Sequence, residues 1–142
     1  MGAGFFISNN SDAIIYNNTI TNNHCVANGG AFRISSANPS LVNNIIWGNT
    51  ASHGNQIYLS DDAADPDILR CFVQGGKGDF GGSGSGMSYE GTYIENIDYN
   101  PFFVDPSESS GIDYDGLNAD WSTTDESPAI NNGFESFEVD SV

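Results

Sequence analysis

The chain has 142 residues, 38% of them hydrophobic, and a net charge of −16, which suits one globular domain with a modest core. Three basic residues against 19 acidic ones form no basic patch, which argues against nucleic acid and anionic membrane as partners. No segment is long and apolar enough for membrane insertion, and "MGAGFFIS" lacks the basic start and full apolar run of a signal peptide.

The charge is unevenly spread. Residues 1–60 hold one acid, Asp12, and one base, Arg33; residues 61–142 hold the other 18 acids against Arg70 and Lys77. The acidic half reads as a solvated face rather than a cation site.

The first predicted element is "GAGFFIS" (2–8), a turn followed by a strand with alternating apolar positions. "IYNNTITNN" (15–23) adds two short β-rich runs broken by asparagines. Both phrases then return in the same order. "NGGAFRIS" (28–35) and "LVNNIIWGN" (41–49) follow, then "GNQIYLS" (54–60) and "ILRCFVQGG" (68–76), at offsets of 25 to 27 residues. A period of that length built from short strands predicts a parallel β-helix of about three coils. Each strand would pair with its copy one coil along, about 4.8 Å away.

Alternation predicts the inward columns. Phe5, Phe32 and Ile57 form one, and Ile7, Ile34 and Leu59 the next. Ile15, Leu41 and Ile68 form a third, and Ile20, Ile46 and Val73 a fourth. Asn18, Asn44 and Cys71 share a column beside Asn17, Asn43 and Arg70 at a bend. Stacked asparagines suit hydrogen bonding between coils. Cys71 reads as a small buried thiol, and Cys25, in a different turn, is not expected to pair with it.

The coils are expected to occupy residues 1–76, with 77–142 as an acidic, loop-rich cap packed on the last coil through Phe102, Phe103, Trp121 and Ile130. The glycine-rich "GGKGDFGGSGSG" (75–86) contains a literal G-x-G-x-x-G. No helix can start at the "GSGSG" that follows, so it reads as a flexible loop and not a nucleotide site.

These phrases resemble the secreted right-handed parallel β-helix proteins of the pectate-lyase-like superfamily. The closer likeness is to bacterial surface versions with "GGAFRIS"- and "NPSLVNNIIWGN"-type coils. "ENIDYNPFFVDP" (95–106) and "ADWSTTDESPAINNG" (119–133) resemble the closing segment of such proteins. The resemblance implies an all-β, right-handed solenoid in a secreted or cell-surface protein. Family members usually carry more coils before these and a longer tail, so the chain is expected to be a C-terminal fragment or a minimal version. An uncapped first coil would then expose strand edges and favour self-association.

The enzyme chemistry that the resemblance implies finds little support in these residues. A lyase needs calcium-binding carboxylates and a cationic base. Arg33 faces outward, but the aligned positions are Phe6 and Tyr58, with no acid. A polygalacturonase-type hydrolase needs paired carboxylates. Asp61-Asp62 and His53-Gly54 occur in the wrong order for that family, so the aspartates read as turn caps. His24 and His53, in roughly the same turn of successive coils, lack a third ligand.

The favoured function is a non-catalytic structural or carbohydrate-binding module, with a polysaccharide or cell-surface glycan as partner. Arg33, Trp47 and Tyr58 are its contact candidates, within a set of exposed aromatics that includes Tyr16, Tyr89, Tyr93 and Tyr99. The alternative is the remnant of a polysaccharide lyase or glycoside hydrolase with catalytic coils upstream. The one candidate calcium site is "DYDGLNAD", where Asp113, Asp115, Asn118 and Asp120 bring oxygen ligands close together.

Overall fold

The computed structural model describes residues 4–109 and 116–134. The chain winds through stacked coils of short parallel strands. The first coil holds β1 (Phe5–Ser8), β2 (Ile14–Tyr16), β3 (Thr19–Thr21) and β4 (His24–Asn28). The second holds β5 (Phe32–Ser35), β6 (Ser40–Val42), β7 (Ile45–Trp47) and β8 (Thr50–His53). The third holds β9 (Ile57–Leu59), β10 (Asp67–Leu69) and β11 (Phe72–Val73).

Like strands of successive coils pair in parallel, and all four expected apolar columns form. Phe32 lies between Phe5 and Ile57, and Ile34 between Ile7 and Leu59. Leu41 lies between Ile15 and Ile68, and Ile46 between Ile20 and Val73. Phe32, Ile34, Leu41, Ile46, Ile57, Leu59 and Ile68 are completely buried, which places the core along the solenoid axis. The pair β4–β8 was not foreseen, because "HCVAN" and "TASH" share no apolar pattern.

The bends explain the asparagines. Between the second and third sheets each coil turns on one left-handed residue: Asn17, Asn43, Arg70 and Glu95, with φ of 57°, 54°, 49° and 54°. Asparagine tolerates this region better than most residues. Arginine does not, and Arg70 is held there from outside. Its Nε lies 2.6 Å from Glu95 Oε2, and its guanidinium lies 4.4 Å from the Phe134 ring centroid. The next residue in each coil points inward. Asn44 Oδ1 accepts from the Asn18 backbone N–H at 3.0 Å, while Asn44 Nδ2 donates to Ile15 O at 2.8 Å. The Asn44 backbone N–H donates to Cys71 Sγ at 3.3 Å, so the thiol serves as the third rung. Burial pushes that thiol up to about 11. A second bend repeats the device: Asn49 Oδ1 accepts from Asn23 N, and Asn49 Nδ2 donates to Ile20 O.

The stacking continues beyond residue 76 as a looser fourth coil. Gly81 bridges to Tyr58, β12 (Tyr93–Ile94) pairs with β10, and Ile97 bridges to Phe72. Asn96 completes the asparagine column by accepting from Cys71 N at 2.8 Å. The glycine-rich stretch expected as a flexible loop is therefore partly a docked rung. Glycine is needed there: at Gly82, with φ of 96°, an added Cβ would collide with the Leu59 carbonyl. Tyr89, expected to be exposed, is buried, and its hydroxyl donates to Pro66 O at 2.7 Å. Desolvation, reinforced by Asp67 and Asp65, pushes that phenol well above its ordinary range.

After this coil the chain forms an antiparallel pair, β13 (Phe103–Asp105) with β14 (Asp120–Thr123). The Phe103 and Trp121 rings meet edge to face, with centroids 5.2 Å apart. Ser127 Oγ donates to Pro101 O at 2.6 Å, whereas Ile130 is exposed and anchors little. Asparagines on the bends tie this segment to the coils. Asn22 Nδ2 donates to the carbonyls of Ser107 and Ser109, and Asn43 Oδ1 accepts from Phe134 N.

Asp61 caps a corner, as its sequence context suggested. Its carboxylate accepts from Ser35 Oγ at 2.8 Å and from the N–H groups of Ser36 and Ala63. Desolvation raises the carboxyl, but these bonds together outweigh it and hold the group below its usual range. A depressed folded value means stability that is present above the unfolded value, about 3.9, and lost as pH falls through the folded one. Asp61→Ala is therefore expected to cost about 1 kcal/mol at neutral pH and much less in strong acid, as read from urea unfolding at the two pH values.

Candidate functional site

The outer face of the first sheet carries Phe6, Arg33 and Tyr58 in one column. The Arg33 guanidinium carbon lies 5.5 Å from the Phe6 ring centroid and 6.0 Å from that of Tyr58. Arg33 Nε donates to Ser60 Oγ at 3.1 Å. The aromatic neighbours and the serine hold the guanidinium on this face, where cation–π contact stabilises it without an acid. Tyr58 also borders a cavity of about 440 Å³ shared with His53, Asp79 and the Gly78–Gly82 turn.

Trp47 stands elsewhere. It projects from β7 into a cleft of about 370 Å³ between the third sheet and the β13–β14 pair. Phe102, Phe103 and Trp121 supply further aromatic surface in this cleft. Thr21, Asn100, Thr124 and Glu126 supply polar groups. Thr21 and Trp121 also border a neighbouring cavity of about 400 Å³ that reaches Phe5 and Thr19 at the first coil. The two hollows thus adjoin across the solenoid flank. The structure brings Arg33 and Tyr58 together and puts Trp47 in a separate cleft.

Sequence reasoning assigned Phe102, Phe103 and Trp121 to anchoring the cap and missed their place beside Trp47. "NPFFVDP" displayed the aromatic pair, but only folding shows that it lies across from β7. The lining is divided between aromatic or apolar and polar side chains, and concave sites with convergent polar groups are the usual form of a small-ligand site.

Of the candidate calcium ligands, Asp113 and Asp115 lie outside the described residues. Asp120 begins β14, and its Oδ1 accepts from Ser122 N at 2.9 Å and Ser122 Oγ at 2.6 Å. The Ser122 hydroxyl above all, then its N–H, holds the Asp120 carboxyl below the usual range. Asn118 stands in the turn just before β14. Among the described residues no three histidine, cysteine or acidic side chains gather as a metal site. His24 and His53 fall at opposite ends of the β4–β8 pair: His24 is opposite Thr50, and His53 opposite Asn28. That placement keeps the two rings apart.

Residues 1–133 match the family model described as "Right handed beta helix region". The chain belongs to the right-handed β-helix family. Comparison with curated proteins returns no match, and comparison with solved structures likewise returns none. Right-handed β-helix membership agrees with the coil stacking and with the general right-handedness of parallel crossovers. No helix among the described residues is long and apolar enough to cross a membrane.

Proposed function

We propose that this β-helix chain is a non-catalytic carbohydrate-binding module of a secreted or cell-surface protein, with the solenoid as a rigid platform for the site. The observation that carries the reading is the cleft where Trp47 and Trp121 meet threonine, asparagine and glutamate side chains. Aromatic rings offer large, stiff apolar faces of the kind that stack on a sugar ring. The adjoining polar groups suit the hydroxyls around the edge of that ring. The neighbouring hollow past Trp121 gives room for a further sugar unit, so the fitting ligand is an oligosaccharide. Arg33 and Tyr58 lie in a different column, outside this cleft.

The test is a glycan-binding screen on the intact chain, followed by titration of the best oligosaccharide. Trp47→Ala and Trp121→Ala should each weaken binding by about 2- to 13-fold, given aromatic contacts of roughly 0.5–1.5 kcal/mol. Both variants should keep the native far-ultraviolet circular dichroism. A screen with no oligosaccharide bound would refute the reading. So would a ligand whose affinity ignored both tryptophans.

A further inference from the structure

We infer that the Trp47–Trp121 cleft selects a positively charged, amine-bearing sugar over neutral and acidic ones; this rests on the carbohydrate reading above and deepens it. Three separate observations lead there. The first is the ring geometry. Phe103 and Trp121 pack edge to face at 88° with centroids 5.2 Å apart, so one ring's face is taken by the other's edge while both rings still border the cleft. Trp47 and Phe102 border it as well. Aromatic faces carry negative quadrupole charge and attract an ammonium within about 6 Å.

The second is the charge of the lining. Glu126 is the one charged side chain that borders the cleft. Among the described residues its carboxylate makes no ion pair; the single ion pair there joins Arg70 to Glu95. A sugar ammonium would meet both the ring faces and this carboxylate.

The third is the wider field. All three basic residues are engaged away from the cleft: Arg33 beside Phe6 and Tyr58, Arg70 with Glu95 and Phe134, Lys77 over Tyr89. Three more acids adjoin residues that line the cleft in the chain: Asp105 beside Pro106, Asp120 beside Trp121 and Asp125 beside Glu126. Such negative charge attracts cations and repels carboxylates. A uronic acid would bring its charge to Glu126 with nothing to neutralise it. An N-acetylated sugar would fill the same space without the attraction.

Two ligands of one shape isolate the charge: the β-1,4-linked hexamer of glucosamine and the same hexamer fully N-acetylated. Each is titrated against the intact chain by calorimetry at mildly acidic pH, where the amines are protonated. Spermine serves as a control for plain polycation adsorption. The glucosamine hexamer is expected to bind at least tenfold more tightly than its acetylated twin. Glu126→Gln should bring the two within about threefold, and Trp47→Ala should weaken both. Equal or tighter binding of the acetylated hexamer would overturn the charge inference and leave the carbohydrate reading standing. Equal displacement of the hexamer by spermine, or binding unaffected by both substitutions, would also overturn the inference, because the amine would then be adsorbing outside the cleft. Failure of both hexamers alongside tryptophan-dependent binding of another glycan refutes the inference alone. Failure of every glycan refutes the carbohydrate reading with it.

Discussion

Phe32→Ala is expected to destabilise the chain by about 3–5 kcal/mol, the range for losing a large aromatic from a packed core. Phe32 is completely buried at the middle of its column. Its ring stacks on Phe5 with centroids 5.0 Å apart and planes inclined by 14°. Truncation removes that stack and leaves a void between coils whose strands are fixed by their backbone pairing. The coil cannot collapse inward without breaking register with both neighbours, so little of the void closes. A domain of this size has a total stability of about 5–15 kcal/mol, so the variant should be partly unfolded at moderate temperature. Urea unfolding followed by circular dichroism measures the shift. Phe5→Ala on the first coil, where Phe5 is 39% exposed, should cost clearly less. Equal losses at the two positions would contradict the packing described for this column.

Asn44→Ala should cost about 2 kcal/mol, although it removes no large apolar group. Asn44 is completely buried, and its amide satisfies Asn18 N–H and Ile15 C=O in the coil on one side. Without it the Asn18 N–H and Ile15 C=O, held in part-buried bonds on the first coil, lose their partner, and the low end of roughly 1–3 kcal/mol applies to each. The comparison that isolates this is Asn17→Gly, one residue before the matching asparagine of the first coil. Asn17 is exposed and left-handed at φ 57°, a conformation glycine adopts freely. That substitution should change stability by less than about 1 kcal/mol, in either direction. Chemical denaturation of the two variants side by side checks both values. A small loss at Asn44 would mean that water or a neighbour can replace its amide.

Phe32 and Asn44 both occupy columns that the repeat makes legible in the sequence. The period of 25–27 residues, repeated in two phrases, was enough for a parallel solenoid and for the register of four apolar columns. Strand pairing in such a stack is a translation of like onto like, so aligning the repeats is aligning the strands. The asparagine column was legible for the same reason. The fourth coil was not, because Gly81, Tyr93 and Ile97 dock as short rungs with no shared phrase. The β4–β8 pair was hidden by its polar composition. Tyr89 looked exposed because its turn resembles a loop, yet Pro66 O accepts its hydroxyl inside the fold.

The candidate site shows the same division more sharply. Trp47 could be named from the sequence, since its outward place on a coil strand follows from alternation. Its partners could not. Trp121 lies 74 positions further along the chain, outside the repeat, and reaches the cleft only through the β13–β14 pair and the Asn22 bonds to Ser107 and Ser109. By itself the sequence determined the coil, its period and its inward columns, because repetition encodes local, stacked contacts. The tertiary structure alone decided which aromatic rings and which carboxylate share a cleft, because those contacts come from the way a non-repeating segment packs across the coils.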